Sequence, residues 1–262
     1  MDNWFRINCG EEQMSGGTGG GATLVKPNTL RWYFTKHYTG PQFRLWSDYH
    51  LGTIGLALVL SGVWFVLPQL DEPTLTGVRY GFVGLHIMAQ VAWQLWNVFT
   101  RQWRWREMLP LHMCGIATWV EVALLLTEWQ PLFEWVYFFG ITGGVLALLF
   151  PDSGNYGFPH FRYIQTTFAH TVLVAVPFFY IAQMGYTLTP VGTLRASLIM
   201  VAYMTFLFFL NFALKSNYMF LRHKPLTASP YDVMPPWPGY IAVVVGIGVV
   251  VVLMMSVPFW VL

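Results

Sequence analysis

Charge is scarce in this chain: Asp, Glu, Lys and Arg make up 10% of its 262 residues, whereas 55% are hydrophobic. Water-soluble domains carry about 25% charged residues, which excludes a soluble globular protein and leaves an integral membrane protein. Cysteine is scarcer still. Two residues, Cys9 and Cys114, provide no disulfide framework. The first long apolar run begins near residue 50, and no cleavable signal peptide is expected. The formal net charge is only +2, and the basic residues form no stripe on a nucleic-acid-binding fold. No nucleic-acid partner is expected.

What the chain has in abundance is apolar sequence of spanning length. Residues 1–29 are polar and Gly-rich (Ser15-Gly-Gly-Thr-Gly-Gly-Gly-Ala22) and read as a flexible tail that holds Cys9. Residues 30–47 mix aromatics with Arg31, Lys36 and Arg44, the make-up of an interfacial juxtamembrane segment. Residues 48–262 then carry seven apolar segments, each near the roughly 20 residues that a crossing requires. They lie at 50–69, 79–100, 108–127, 131–150, 163–184, 193–215 and 239–262. The expected fold is all-α, a polytopic membrane bundle of seven transmembrane helices.

Lys and Arg set the expected orientation. Of the 14, twelve fall in the N-terminal region and in the connections after segments two, four and six. These are Arg6, Lys26, Arg31, Lys36, Arg44, Arg101, Arg104, Arg106, Arg162, Lys215, Arg222 and Lys224. Only Arg79 and Arg195 fall on the other side. Basic residues favour the cytoplasmic face, which puts the N-terminus in the cytoplasm and the C-terminus outside. The last segment has no Lys, so a retinal Schiff base there is excluded.

Polar groups inside apolar segments are costly and usually mark a site. The third segment carries His112, Cys114, Thr118 and Glu121. Cys114, Thr118 and Glu121 recur at i, i+4 and i+7, one helix face, whereas His112 lies about 200° around from Cys114. A partner for the thiol must then come from another helix. With a rise of 1.5 Å per residue, Cys114 lies about 9 Å and His170 about 10 Å from the cytoplasmic end. Gln94, Asn97, Thr166, Thr167 and Asn211 join this level; His86, Glu121 and Glu134 lie toward the outer face. The depth matches that of phospholipid ester carbonyls just beneath the headgroups. A thiol is a strong nucleophile once deprotonated, and an imidazole can take and return its proton. The plainer alternatives stand beside this one: Cys114 as a small packing residue, and His86 with Glu121 as a pair fixing helix packing.

Two long connections share the cytoplasmic side. One is Phe150-Pro-Asp-Ser-Gly-Asn-Tyr-Gly-Phe-Pro-His-Phe-Arg-Tyr163, the other Ser216-Asn-Tyr-Met-Phe-Leu-Arg-His-Lys-Pro225. Their mix of turns, aromatics and cations suits phospholipid phosphate and glycerol. Asn217, Arg222, His223 and Lys224, with His160 and Arg162, are candidate substrate-binding residues. Ordinary anchoring by basic residues is the other reading of Arg222, His223 and Lys224, and it fits Arg101-Gln-Trp-Arg-Trp-Arg106 better.

Four stretches together resemble the bacterial YwaF-like integral membrane proteins, a family similar to the eukaryotic transmembrane protein 164 family. They are Leu109-Pro-Leu-His-Met-Cys114, Gly157-Phe-Pro-His-Phe-Arg162, Asn217-Tyr-Met-Phe-Leu-Arg-His-Lys-Pro225 and Pro236-Trp-Pro238. The resemblance covers about residues 45–262 and implies a multi-pass protein of the cell (inner) membrane. The eukaryotic relatives are regarded as phospholipid acyltransferases using a Cys and a His. The resemblance thus implies Cys114 and His170 as catalytic residues, with the register of His112 and Cys114 open.

Three functions compete. The first is a membrane enzyme acting on phospholipids by acyl transfer or hydrolysis from the cytoplasmic leaflet. The second is a non-enzymatic membrane subunit or transporter. A bis-His haem protein is the third. His112 and His170 have compatible depths for it, but His86 lies about 10 Å higher than His170. No second His pair exists, so no cofactor or metal is expected. Protein partners are not legible in the sequence.

Overall fold

The computed structural model describes residues 26–225 and 230–261. The tail expected over residues 1–29, with Cys9, falls outside the described residues up to residue 25. The described chain is all-helical. Its helices are α1 (Asp48–Gly62), α2 (Glu72–Phe99), the single turn α3 (Trp105–Met108), α4 (Met113–Thr127), α5 (Gln130–Leu149), α6 (Phe161–Met184), α7 (Pro190–Leu214) and α8 (Gly239–Val261).

Local chemistry sets several of these boundaries. Pro73, Pro131 and Pro190 open α2, α5 and α7, where a missing N–H breaks no helical hydrogen bond. At the end of α6, Gly185 takes a φ of 68°, the left-handed value that glycine adopts freely. Glu128 ends α4 in the same conformation, with φ 55°. Arg79 holds that strained end: its Nε and Nη2 donate to Leu125 O at 3.0 and 2.7 Å, and it pairs with the Glu128 carboxylate.

All seven expected segments coincide with helices, but four of them, α5 to α8, are long and apolar enough to cross a membrane. The other three differ for identifiable reasons. α1 has 15 residues and runs into a 3-10 turn, Val63–Phe65. α2 is 28 residues long, yet Glu72, Arg79, His86, Gln90, Gln94 and Asn97 dilute its hydropathy. α4 begins at Met113 rather than near 108, because Leu109 is extended before Pro110, a backbone shape that proline imposes on the preceding residue.

α6 is the centre of the bundle and packs against α5, α1, α2 and α4. Its Val176, Phe179 and Tyr180 meet Phe133 and Phe138 of α5 and Leu124 of α4 in a fully buried core. α7 lies on α5, and α8 on α7. The outer surfaces of these two expose Leu194, Leu198, Phe209, Val250 and Met254, a lipid-facing rather than a water-facing composition.

One end of the bundle carries the long connections. The N-terminal segment crosses it: Trp96 Nε1 donates to Phe34 O at 2.8 Å, Tyr156 Oη to Lys36 O at 3.0 Å and Gly157 N to Pro41 O at 3.0 Å. His50, at the start of α1, caps the far end of α5 through Nε2 to Leu148 O at 2.8 Å. At the same end the residues after α7 fold over the start of α4. The opposite end holds Arg79 with Glu128, and Arg195 with Glu134.

Candidate functional site

α5 carries the sequence Gly140-Ile-Thr-Gly-Gly144, and those glycines let its neighbours approach closely. A Cβ on Gly143 would stand 3.2 Å from Cys114 Sγ of α4. One on Gly144 would stand 3.3 Å from His170 O and 2.6 Å from Val174 Cγ2 of α6. Consecutive residues of one helix therefore touch Cys114 on one side and the His170 turn on the other. The Cys114 sulfur and the His170 backbone thus lie at one level along α5.

His170 has a defined tautomer. Its Nδ1 lies 2.7 Å from Thr166 O, a carbonyl that can only accept, so Nδ1 carries the proton. Nε2 keeps its lone pair and makes no hydrogen bond among the described residues. Thr166 is braced in turn: Arg162 donates to its Oγ1, to Gln165 Oε1 at 3.1 Å and to Asp152 O at 2.7 Å. The same guanidinium lies 3.9 Å above the Trp93 ring of α2. Arg162 thus fixes the first turns of α6 beneath His170. Thr118 Oγ1 bonds back to Cys114 O at 2.9 Å, and Thr167 Oγ1 to Tyr163 O at 2.9 Å.

Two turns deeper on the same face of α4, Glu121 is fully buried. Its Oε2 lies 2.8 Å from His86 Nε2, without the alignment of a hydrogen bond, and a Cβ on Gly140 would stand 3.1 Å from Oε1. The i, i+7 relation of Cys114 and Glu121 holds, since both meet glycines of α5. Glu134 lies elsewhere, clamped by Arg195 through Nε to Oε2 at 2.9 Å and Nη2 to Oε1 at 2.6 Å.

The remaining candidates form two separate clusters at the loop end. In the first, His160 is the N-cap of α6. Its Nδ1 accepts from Arg162 N at 3.1 Å and its Nε2 donates to Thr35 O at 3.0 Å, with Tyr156 stacked at 4.2 Å. Burial lowers its pKa to about 4 and holds the ring neutral. Both of its nitrogens thus serve the clasp on the N-terminal segment.

The second cluster is the connection after α7. Buried Asn211 binds Tyr218 N and Tyr218 O at 2.8 and 2.9 Å. Asn217 Oδ1 accepts from Arg222 N and His223 N at 3.0 and 3.2 Å. Arg222 Nη1 caps the end of α7 through Ser216 O at 3.2 Å, and Lys224 Nζ donates to Met234 O at 2.7 Å. Met219 and Phe220 both take positive φ values, 55° and 56°, which non-glycine residues rarely do. His112 holds this strained turn from below: its Nδ1 accepts from Met219 N at 3.3 Å, between the rings of Tyr218 and Phe220. His112 therefore joins α4 to the loop. Gln94 and Asn97 also serve the loop end, Gln94 by binding Met108 O at 2.9 Å and Trp103 Nε1 at 2.7 Å.

Sequence reasoning missed the α5 glycines, although a Gly-x-x-x-Gly spacing was there to be read. It also missed Asn211 as organiser of the loop and Trp93 as the platform for Arg162.

An all-helical membrane protein with several helices long and apolar enough to cross a bilayer is the class these features define. The chain belongs to the TMEM164 family, whose family model matches residues 42–256. Comparisons with curated proteins and with solved structures find no match.

Proposed function

We propose that the protein is a multi-pass membrane enzyme that transfers or hydrolyses phospholipid acyl groups, with Cys114 as nucleophile and His170 as general base and acid. The observation that supports this reading is that adjacent glycines of α5 meet Cys114 Sγ and the His170 backbone carbonyl, which puts the two residues at one level of the bundle. The His170 tautomer supports it, because Nε2 is the nitrogen left to take a proton. Cys114 Sγ–H passes its proton to Nε2, and the thiolate attacks an ester carbonyl carbon. Collapse breaks the acyl C–O bond, and the departing glycerol oxygen takes the proton from the imidazolium. A lysophospholipid and a Cys114 thioester result. An acceptor hydroxyl then gives its proton to Nε2 while its oxygen attacks the thioester, and the thiol leaves reprotonated. Water in place of the acceptor makes the same sequence a hydrolysis.

In this reading, residues 48–262 cross the inner membrane seven times, residues 30–47 lie at its surface and the N-terminal tail is cytoplasmic. The gathering of Arg101, Arg104, Arg106, Arg162, Lys215, Arg222 and Lys224 at the loop end, away from Arg79 and Arg195, supports that orientation. Among the described residues, Arg79 and Arg195 are the cations at the opposite end, and each is held by an acidic partner there. The N–H groups of Arg222 and Lys224 that the fold leaves over, with Asn217 and His223 beside them, serve the substrate phosphate. Arg162 and His160 position α6. Phospholipids of mixed composition, incubated with purified protein and analysed by mass spectrometry, test the activity. Acyl exchange or hydrolysis by the wild type and its loss in Cys114→Ala are expected. Absence of turnover from both would overturn the reading. It would favour a non-enzymatic membrane subunit or transporter, for which the buried Glu121–His86 pair is the supporting observation.

A further inference from the structure

We propose that the groove between the N-terminal segment and the end of α2 is a binding site for an anionic glycerophospholipid, separate from Cys114 and His170. The groove has a volume of about 720 Å³. Arg31, Lys36 and Arg101 line it from two directions, the first two on the N-terminal segment and the third just past α2. None of these three side chains has a hydrogen bond or an ion pair among the described residues. The described lining also contains no Asp or Glu. Like charges gathered without a counterion repel one another, so a bound anion is the stabilising complement. Arg101 is held there by the fold, since its φ of 58° and its N–H to Val98 O at 3.0 Å close the end of α2.

The opposite character of the remaining wall identifies the anion as a lipid. Phe34, Leu95 and Phe99 line the same groove and are 44%, 47% and 78% exposed. A free phosphate has no use for such a wall, whereas a phospholipid places its phosphate among the cations and its chains along the aromatics. Leu95 also lines a second, almost wholly apolar cleft of about 290 Å³ with Val91, Pro110 and Trp119. The two cavities meet at Leu95, so an acyl chain has a path from the headgroup groove to the start of α4. Pro110 there packs on Gly115, the neighbour of Cys114, within 2.9 Å of where a Cβ would stand. Three cations in one groove favour a net-negative headgroup over a zwitterionic one.

Binding is measured without turnover, in the Cys114→Ala protein, so that its failure is distinct from failure of the acyl-transfer reading. Purified protein in detergent is titrated with phosphatidylglycerol or phosphatidylcholine and bound lipid is counted by native mass spectrometry. A preference for phosphatidylglycerol of about tenfold or more is expected, because each cation at the surface contributes to anionic-lipid affinity. The combined Arg31→Gln, Lys36→Gln and Arg101→Gln protein should lose that preference, and the Arg31→Lys, Arg101→Lys protein, with Lys36 kept, should retain it. Raising salt should weaken it. Three results overturn the site: no headgroup preference in the Cys114→Ala protein, an unchanged preference when the three Gln substitutions are added to it, or displacement of the lipid by millimolar inorganic phosphate. Loss of the preference in Arg222→Gln with retention in the triple variant would place the headgroup on the other loop and also overturns it.

Discussion

Cys114 Sγ and Gly143 meet so closely that a Cβ on the glycine would stand 3.2 Å from the sulfur. The glycine is therefore part of how the thiol is positioned. Gly143→Ala should shift Sγ by a few tenths of an ångström and lower turnover about tenfold or more, with little change in thermal stability. Gly144→Ala should do the reverse. Its new methyl would stand 2.6 Å from Val174 Cγ2, and prising α5 from α6 should cost about 1–3 kcal/mol. Thermal unfolding in detergent and acyl turnover, measured on both variants, separate the two effects. Equal behaviour of the two would contradict this division of roles.

His160 gives the loop end a pH dependence whose sign is fixed. Its folded pKa, about 4, lies below the ordinary 6.5, so the folded state favours the neutral ring. Its stabilising contribution is complete above about 6.5 and is lost as pH falls from there through about 4, where the unfolded segment binds the extra proton. Hydrogen-exchange protection around Lys36, taken relative to the intrinsic rate at each pH, should fall across that window as the clasp to Thr35 O opens. His160→Asn should be loose at every pH, with a flat profile over the same range. A wild-type profile equally flat would remove His160 from this role.

Breaking the Arg195–Glu134 pair should be costly, because Glu134 is buried. Arg195→Ala leaves a carboxylate without its partner and should destabilise the protein by about 2–3 kcal/mol. Adding Glu134→Gln removes the stranded charge and should recover about half of that. Chemical denaturation in detergent reads both. No recovery in the double variant would mean that Arg195 acts through packing rather than charge.

Much of this arrangement was legible because it is periodic. Apolar runs of spanning length located every long helix, and the i, i+7 spacing put Cys114 and Glu121 on one face before any partner was known. What failed was non-periodic or depended on contacts distant in sequence. Pro110 delayed the start of α4 to Met113, which a hydropathy window does not register. Gly143 and Gly144 matter only because Cys114 and Val174 press on them from other helices. His160 looked like a ligand for phosphate, yet its two nitrogens are spent on Thr35 and Arg162, partners that no local pattern announces. Arg31, Lys36 and Arg101 read as anchors because the sequence does not show that two segments fold them into one groove.

The proposed orientation predicts a two-sided labelling pattern. Single cysteines placed at positions 217–224 should react with a membrane-impermeant maleimide only after the cytoplasmic face is opened. A C-terminal tag should be reached from outside in intact cells. Arg195→Ala, by exposing an acidic residue opposite the basic end, should leave this pattern unchanged. Labelling of both sites from one face would mean that α8 does not cross the membrane between them.

The catalytic proposal makes its sharpest demand on His170 and Thr166. The Nδ1 proton of His170 is held by the carbonyl of Thr166, not by its hydroxyl. Thr166→Val keeps that carbonyl and removes only the oxygen that Arg162 grips, so turnover should fall by no more than about threefold, well short of losing a proton-transfer group. His170→Gln removes the group that accepts the thiol proton. Turnover should then fall by about a hundredfold or more, the usual contribution of a positioned acid–base residue. Alkylation of Cys114 by a small lipid-soluble reagent supplies a readout that does not depend on lipid turnover. It should slow in His170→Gln, where less thiolate forms, and stay near the wild-type rate in Thr166→Val. Equal alkylation rates in wild type and His170→Gln would show that the imidazole does not reach the sulfur. Cys114 would then be a packing residue set against Gly143, and the chemistry would have to be sought elsewhere in the bundle.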